Sequence, residues 1–175
     1  MNLLNLSKLS LDEMLSGSFG IEWESLRARG DGELALTPHP ELFGDKLKNP
    51  LVTTDFSESQ IEIITPTFNT IDETFDTFSL IADLVNASLP YDEYLWFQSI
   101  PCILPYGDQI PIAQYSGEGK SSQGYREDLA KKYGLKKQMI SGIHFNFSFS
   151  DEFLKKIYEL EESPLTFKEL KNNVY

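Results

Sequence analysis

The sharpest pattern in the chain is the run Ile143-His144-Phe145-Asn146-Phe147-Ser148-Phe149. Strand side chains alternate between two faces, so its apolar and polar residues separate completely. Ile21-Glu22-Trp23-Glu24 alternates in the same way. Gln60-Ile61-Glu62-Ile63-Ile64-Thr65-Pro66 reads as a β-branched strand that stops at its proline. Leu51-Val52-Thr53-Thr54-Asp55-Phe56 precedes it, after a turn at Asn49-Pro50. Arg29-Gly30-Asp31-Gly32 predicts a hairpin turn, with Leu34 and Leu36 on the return strand. The same tripeptide matches an adhesion motif, and the turn reading is preferred. Thr37-Pro38-His39-Pro40 is read as a loop, with His39 as a turn residue.

Helical spacing dominates residues 71–89. Ile71, Phe75, Phe78, Ile81, Leu84 and Val85 form the apolar stripe. Thr70 and Glu73 have capping-box spacing, and Pro90 ends the helix. Ser10 and Glu13 predict a short opening helix, closed off by Gly17 and Gly20. Residues 91–124 read as loop, punctuated by Pro101, Pro105 and Pro111. A helix over 125–133 carries Lys131 and Lys132 in its last turn and stops at Gly134. Two helices follow, one capped by Ser150 and one by Thr166 with Glu169. The last shows no stop signal, so the expectation is a chain that breaks off inside a helix.

Composition narrows the function classes. The 175 residues carry 15 Lys plus Arg against 27 Asp plus Glu, a net charge of −12. That argues against a nucleic-acid binder, which needs a basic face. It leaves room for phosphates held through a metal ion. Twelve Phe, 8 Tyr and 2 Trp supply material for a core. A single cysteine, Cys102, excludes an internal disulfide and a Cys-based zinc site, and is read as a small buried apolar residue. No apolar run approaches membrane-span length, and the N-terminus has no signal-peptide core. The expected setting is cytoplasmic, with no membrane partner.

The polar faces of the three alternating strands carry the candidate chemistry. Glu22 and Glu24 share one face, as do His144, Asn146 and Ser148. Glu58, Gln60 and Glu62 share another if the strand reaches back to Glu58, with Asp55 at its edge. Neighbouring strands would merge these into a cluster of carboxylates with one imidazole. Such a cluster suits Mg²⁺, or Mn²⁺ given the histidine. From the pattern alone the solvated face of an antiparallel sheet is the preferred reading, with the metal site as the alternative. Gly119-Lys120-Ser121 ends like a phosphate-binding loop, but Gln114 stands where that motif needs glycine. Residues 117–124 are therefore read as a mobile loop. Neither His39 nor His144 has a nucleophile partner for covalent catalysis.

Three strings together resemble one family. Gly20-Ile21-Glu22-Trp23-Glu24-Ser25-Leu26-Arg27 resembles the opening strand of bacterial glutamate–cysteine ligases. Residues 53–66, containing Asp55-Phe56-Ser57-Glu58-Ser59-Gln60, and residues 138–149 resemble that family's next two blocks. The wording is most similar to the bifunctional glutathione-synthesising enzymes, and Thr37-Pro38-His39-Pro40 and Tyr125-Arg126 fit as well.

The resemblance implies an α+β fold like glutamine synthetase: a curved antiparallel sheet, helices on its outer face, incomplete here. It implies that residues 1–175 form the N-terminal part of a catalytic domain whose remainder lies elsewhere. The implied reaction joins the γ-carboxyl of L-glutamate to L-cysteine through γ-glutamyl phosphate, with ATP as co-substrate. This is the first step of glutathione biosynthesis. By resemblance Glu22, Glu24, Asp55, Glu62 and His144 would ligate Mg²⁺ or Mn²⁺. Gln138 and Asn146 would orient glutamate, Phe56 and Tyr125 would line the cysteine pocket, and Arg126 would face the transferred phosphoryl group. Glu58 would stand behind the ligands. Trp23 replaces a usual basic residue and Phe97 a usual proline. The 175 residues alone are expected to be inactive. A related carboxylate–amine ligase and an inactive metal-binding fragment stay open as alternatives.

Overall fold

A computed structural model describes residues 9–106, 109–160 and 165–174. The residues of the N-terminal leader reading and Tyr175 lie outside them. The elements are α1 (Leu11–Met14), β1 (Gly17–Arg29), β2 (Val52–Thr54), β3 (Gln60–Ile64), α2 (Ile71–Ser88), β4 (Glu93–Trp96), α3 (Lys120–Tyr133), β5 (Ile143–Phe149), α4 (Asp151–Leu160) and α5 (Phe167–Val174). The result is an open antiparallel sheet with helices, as expected from the alternation.

β1 organises the sheet. On one edge it pairs with β3, Glu24 opposite Glu62, and β3 pairs onward with β2. On the other edge β5 and β4 lie in tandem. Gly17 to Trp23 pair with β5, and Leu26 to Arg29 pair with β4. Gly17 permits the first contact, because a Cβ there would come within 2.5 Å of the Phe147 ring and the Ser148 carbonyl. Gly17 and Gly20 thus lie inside a 13-residue strand rather than closing the helix before it.

α2 packs on the face that carries Ile21, Trp23, Val52, Ile61, Ile63 and Leu95. Thr70 caps α2 by accepting the Glu73 N–H at 3.2 Å. The buried positions of α2 are Thr74, Ile81 and Val85, whereas Ile71, Phe75 and Leu84 are exposed. The helix is therefore rotated relative to the expected stripe. Trp23 does point away from Glu22 and Glu24. Its ring meets Phe78 edge-on at 5.6 Å and stacks with Phe97 at 5.4 Å.

The opposite face changes character along β1. Glu22 and Glu24 give way to Leu26 and Ala28, which join Leu34, Phe56, Cys102, Ile110 and Met139 in a second core. α3 contributes Leu129 and Ala130 to it. A third cluster joins α4 and α5 through Phe153, Leu154, Ile157 and Leu170, with Leu9.

Several expectations need correction. β4 falls in the stretch read as loop. Residues 117–124 are a 3-10 turn leading into α3, which starts five residues before the expected 125. The return after the Arg29-Gly30-Asp31-Gly32 turn is made of isolated bridges, Ala28 to Leu34 and Glu33 to Ile103. Gly32 takes φ +83°, which the turn requires. Cys102 is buried as expected, and burial pushes its thiol up to about 11.

Candidate active site

Register brings the alternating polar residues together. Glu22 stands opposite His144 across β1 and β5, and Glu24 stands opposite Glu62 across β1 and β3. Paired residues share a face in an antiparallel ladder, so all four project from one side of the sheet. Asn146 shares it opposite Gly20, where no side chain obstructs. Asp55 follows β2 at the rim, its N–H donating to the Gln60 carbonyl at 3.2 Å.

Specific contacts order this face. Glu24 Oε2 accepts the Gly142 N–H at 3.0 Å, and its Oε1 lies 3.5 Å from His144 Nε2. Burial raises the Glu24 carboxyl, the Gly142 N–H opposes the rise, and Asp55 adds to it. Burial also raises Asp55, against the pull of Arg126. Glu62 is moved furthest, to about 7, by burial and then by Asp55, Glu24 and Glu22. Carboxylates that raise one another in this way repel, and Arg126 offsets only part of the rise at Asp55 and Glu62. Among the described residues, no three His, Cys, Asp or Glu side chains stand as a ready metal-ligating group.

Arg126 approaches from α3. Its Nε donates to the Asp55 carbonyl, Nη1 to Ser122 O at 3.0 Å and Nη2 to Thr54 O at 3.5 Å. Gln138 is half-buried in the 3-10 turn Lys136–Met139. Phe56 is packed in the second core, while Tyr125 is exposed on α3.

Glu58 lies elsewhere. It occupies the tight turn between β2 and β3, not the Glu62 face. Its carboxylate pairs with Lys46 and accepts the N–H groups of His39 at 2.7 Å and Gln114 at 2.5 Å. Burial would raise it, but the Gln114 N–H, Lys46 and the His39 N–H outweigh burial and hold it below the ordinary value. His39 lies at a bend in a loop, as read, and is buried against Phe43. Burial and Lys46 lower its imidazole to about 4, so it is neutral at physiological pH.

The sequence reading missed a buried ion pair. Arg27 is fully buried and pairs with Glu93 of β4. It also donates to Thr37 Oγ1 and Thr37 O at 2.7 Å, Pro38 O at 3.0 Å and Glu58 O at 2.9 Å. The signal available was an arginine at an inward position of an otherwise apolar strand end.

A family model described as "Glutamate-cysteine ligase" matches residues 3–175. A glutamate–cysteine ligase of Clostridium acetobutylicum is 51% identical over 148 residues, 83% of this chain and 31% of that protein. The glutathione biosynthesis bifunctional protein of Clostridium perfringens is 45% identical over 165 residues, 94% of this chain and 21% of that protein. The crystal structure of a bifunctional glutathione synthetase from Pasteurella multocida superposes with a TM-score of 0.85 at 40% identity, covering 92% of this chain and 21% of that one. The glutamate–cysteine ligase of Francisella tularensis, solved with AMP, gives a TM-score of 0.81 at 31% identity, covering 87% and 30%. This chain thus spans between about a fifth and a third of these relatives' length. Over that span, sequence and fold agree: the chain belongs to the glutamate–cysteine ligase family.

Proposed function

We propose that these residues supply part of the active face of an ATP-dependent ligase that joins the γ-carboxyl of L-glutamate to L-cysteine. The supporting observation is the merger of Glu22, Glu24, Glu62 and His144 on one sheet face, with Asp55 and Arg126 at its rim. Phosphoryl transfer is catalysed by positioning and charge neutralisation more than by covalent chemistry. A face of hard oxygen donors beside a fixed guanidinium suits that task.

The donor types fit Mg²⁺ or Mn²⁺: four carboxylates and one imidazole, with Glu62, one of the four, raised to about 7 by burial and then by Asp55, Glu24 and Glu22. Glu22, Glu24, Asp55, Glu62 and His144 would hold the ion, which when bound supplies positive charge for ATP phosphates and substrate carboxylate. Asn146, beside the open position at Gly20, and Gln138 would orient L-glutamate by hydrogen bonds. Arg126 would present its charge to the transferred phosphoryl group. Its carbonyl partners keep the guanidinium in place, so little reorganisation is needed when charge develops. Phe56 and Tyr125 remain assigned to the L-cysteine pocket, Phe56 from beneath and Tyr125 from the surface. The resulting γ-glutamyl phosphate would be attacked by the cysteine amine, releasing phosphate. A cytoplasmic setting accords with this chemistry. Among the described residues, no helix is long and apolar enough to cross a membrane.

The test is a chimera in which residues 1–175 replace the matching segment of the Clostridium acetobutylicum ligase. We expect ATP- and cysteine-dependent γ-glutamylcysteine formation, lost in Glu62→Ala and Arg126→Ala. The separate 175-residue protein is expected to show no turnover. A folded chimera without product would overturn the proposal.

A further inference from the structure

Arg126 is held on two sides. Its nitrogens donate to the backbone carbonyls of Thr54, Asp55 and Ser122, and its Cζ lies 5.0 Å from the centroid of the Tyr115 ring. Tyr115 is itself fixed on the same short stretch of chain. Its hydroxyl donates to Thr54 O at 3.1 Å, the carbonyl that Arg126 Nη2 also approaches. Its N–H donates to Gln123 Oε1 of α3 at 3.2 Å, one turn before Arg126. The preceding residue is anchored too, because the Gln114 N–H donates to the buried Glu58 carboxylate. A second cation, Lys46 Nζ, lies 5.0 Å from the Tyr115 centroid, but Lys46 is paired with Glu58.

We infer that Tyr115 is a positioning residue for Arg126. Its ring holds the guanidinium by a cation–π contact, and its hydroxyl ties that ring to the β2 end that carries Asp55. An arginine free to swing would pair with the nearest carboxylate on this acidic face, and its charge would be lost to an incoming phosphoryl group. Tyr115 removes that freedom, since the attraction to the ring face competes with the carboxylates and has a fixed direction. Glu58 serves the same end from a distance by anchoring Gln114, which explains a buried carboxylate far from the Glu62 face. Only what Arg126 faces rests on the ligase reading; the hold on Arg126 does not.

The experiment compares Tyr115→Phe with 3,4,5-trifluorophenylalanine placed at position 115. The two rings are nearly the same shape, but fluorination removes most of the negative charge on the ring face. Hydrogen exchange at Arg126 Nε–H is followed by NMR, and Mg·ATP affinity by calorimetry. Loss of the hydroxyl tie in Tyr115→Phe should quicken exchange by up to about twofold over the parent, and the fluorinated ring should quicken it by about a further threefold or more. Mg·ATP affinity should fall by a similar factor between the two rings. Equal exchange in both variants overturns the hold on Arg126. Different exchange with equal Mg·ATP affinity overturns the role of that hold at the phosphoryl site. Mg·ATP affinity is read in the chimera with the Clostridium acetobutylicum ligase, since residues 1–175 supply only part of the active face. Failure of the unsubstituted chimera to bind Mg·ATP counts against the ligase reading, and the exchange comparison then decides the positioning by itself.

Discussion

Glu62 carries the largest electrostatic strain on the acidic face. Its carboxyl rises from 4.5 to about 7 through burial and through Asp55, Glu24 and Glu22. Between those two values the unfolded chain has lost the proton while the folded chain keeps it. The folded state then binds more protons, so stability falls as pH rises from about 4.5 to 7 and levels off above. The full shift sets an upper limit of about 3 kcal/mol, reduced by the partial exposure of the group. Glu62→Gln should therefore stabilise the protein at pH 8 and have little effect near pH 4.5, as read from urea midpoints at the two values. An equal effect at both would show that Glu62 bears no such charge penalty. Period-2 alternation made Glu22, Glu24, Glu62 and His144 legible, because a strand places every second side chain on one face. The same logic misplaced Glu58. A two-residue turn at Glu58-Ser59 ends the alternation before that position, and Arg27 and Lys46 reward a buried carboxylate and carbonyl there instead.

At the scale of elements, α2 shows how packing chooses between faces that the sequence leaves comparable. Ile71, Phe75 and Leu84 are apolar, yet they lie on the exposed side. The sheet takes Thr74, Ile81 and Val85, with Phe78 partly covered by Trp23. Thr74 can be buried because its hydroxyl donates back to the Thr70 carbonyl at 2.8 Å. That internal satisfaction is invisible to a hydrophobic count. Ile81→Ala should accordingly cost about 2–4 kcal/mol, while Leu84→Ala, at 58% exposure, should stay within about 0.5 kcal/mol. Chemical denaturation of the two variants checks the order, and equal losses would restore the stripe expected from spacing alone. β4 escaped notice for a related reason. It is four residues long and begins with Glu93, a buried carboxylate paired with Arg27 of β1 and accepting the Thr37 hydroxyl at 2.6 Å. Trp23 of β1 and Phe97, just after β4, stack on each other, so the strand and the loop meet at one contact.

Across the whole molecule, β1 is the axis, and its two edges are built unequally. β3 and β2 are covered by α2, whereas β5 extends past that helix. The apolar row that made β5 the clearest strand in the sequence is consequently only partly covered: Ile143 is 68%, Phe145 50% and Phe147 40% exposed. Phe19 shields part of it through ring contacts at 6.2 Å with Phe145 and 5.2 Å with Phe147. A cavity of about 420 Å³ opens beside Phe147, lined by Leu15, Phe19 and Ile71. Alternation reports which residues share a face, but not whether anything packs on that face. The cover depends on the length and placement of α2, which is a tertiary property. Contiguous exposed aromatic surface of this kind binds apolar probes even in a folded protein. The native 175-residue protein should therefore enhance anilinonaphthalene sulfonate fluorescence without denaturant. Phe145→Thr with Phe147→Thr should remove most of that enhancement while far-ultraviolet circular dichroism stays unchanged, because threonine keeps the strand preference of the positions it replaces. Undiminished fluorescence in a folded double variant would place the exposed apolar surface elsewhere, with the aromatic row of β5 already covered in solution.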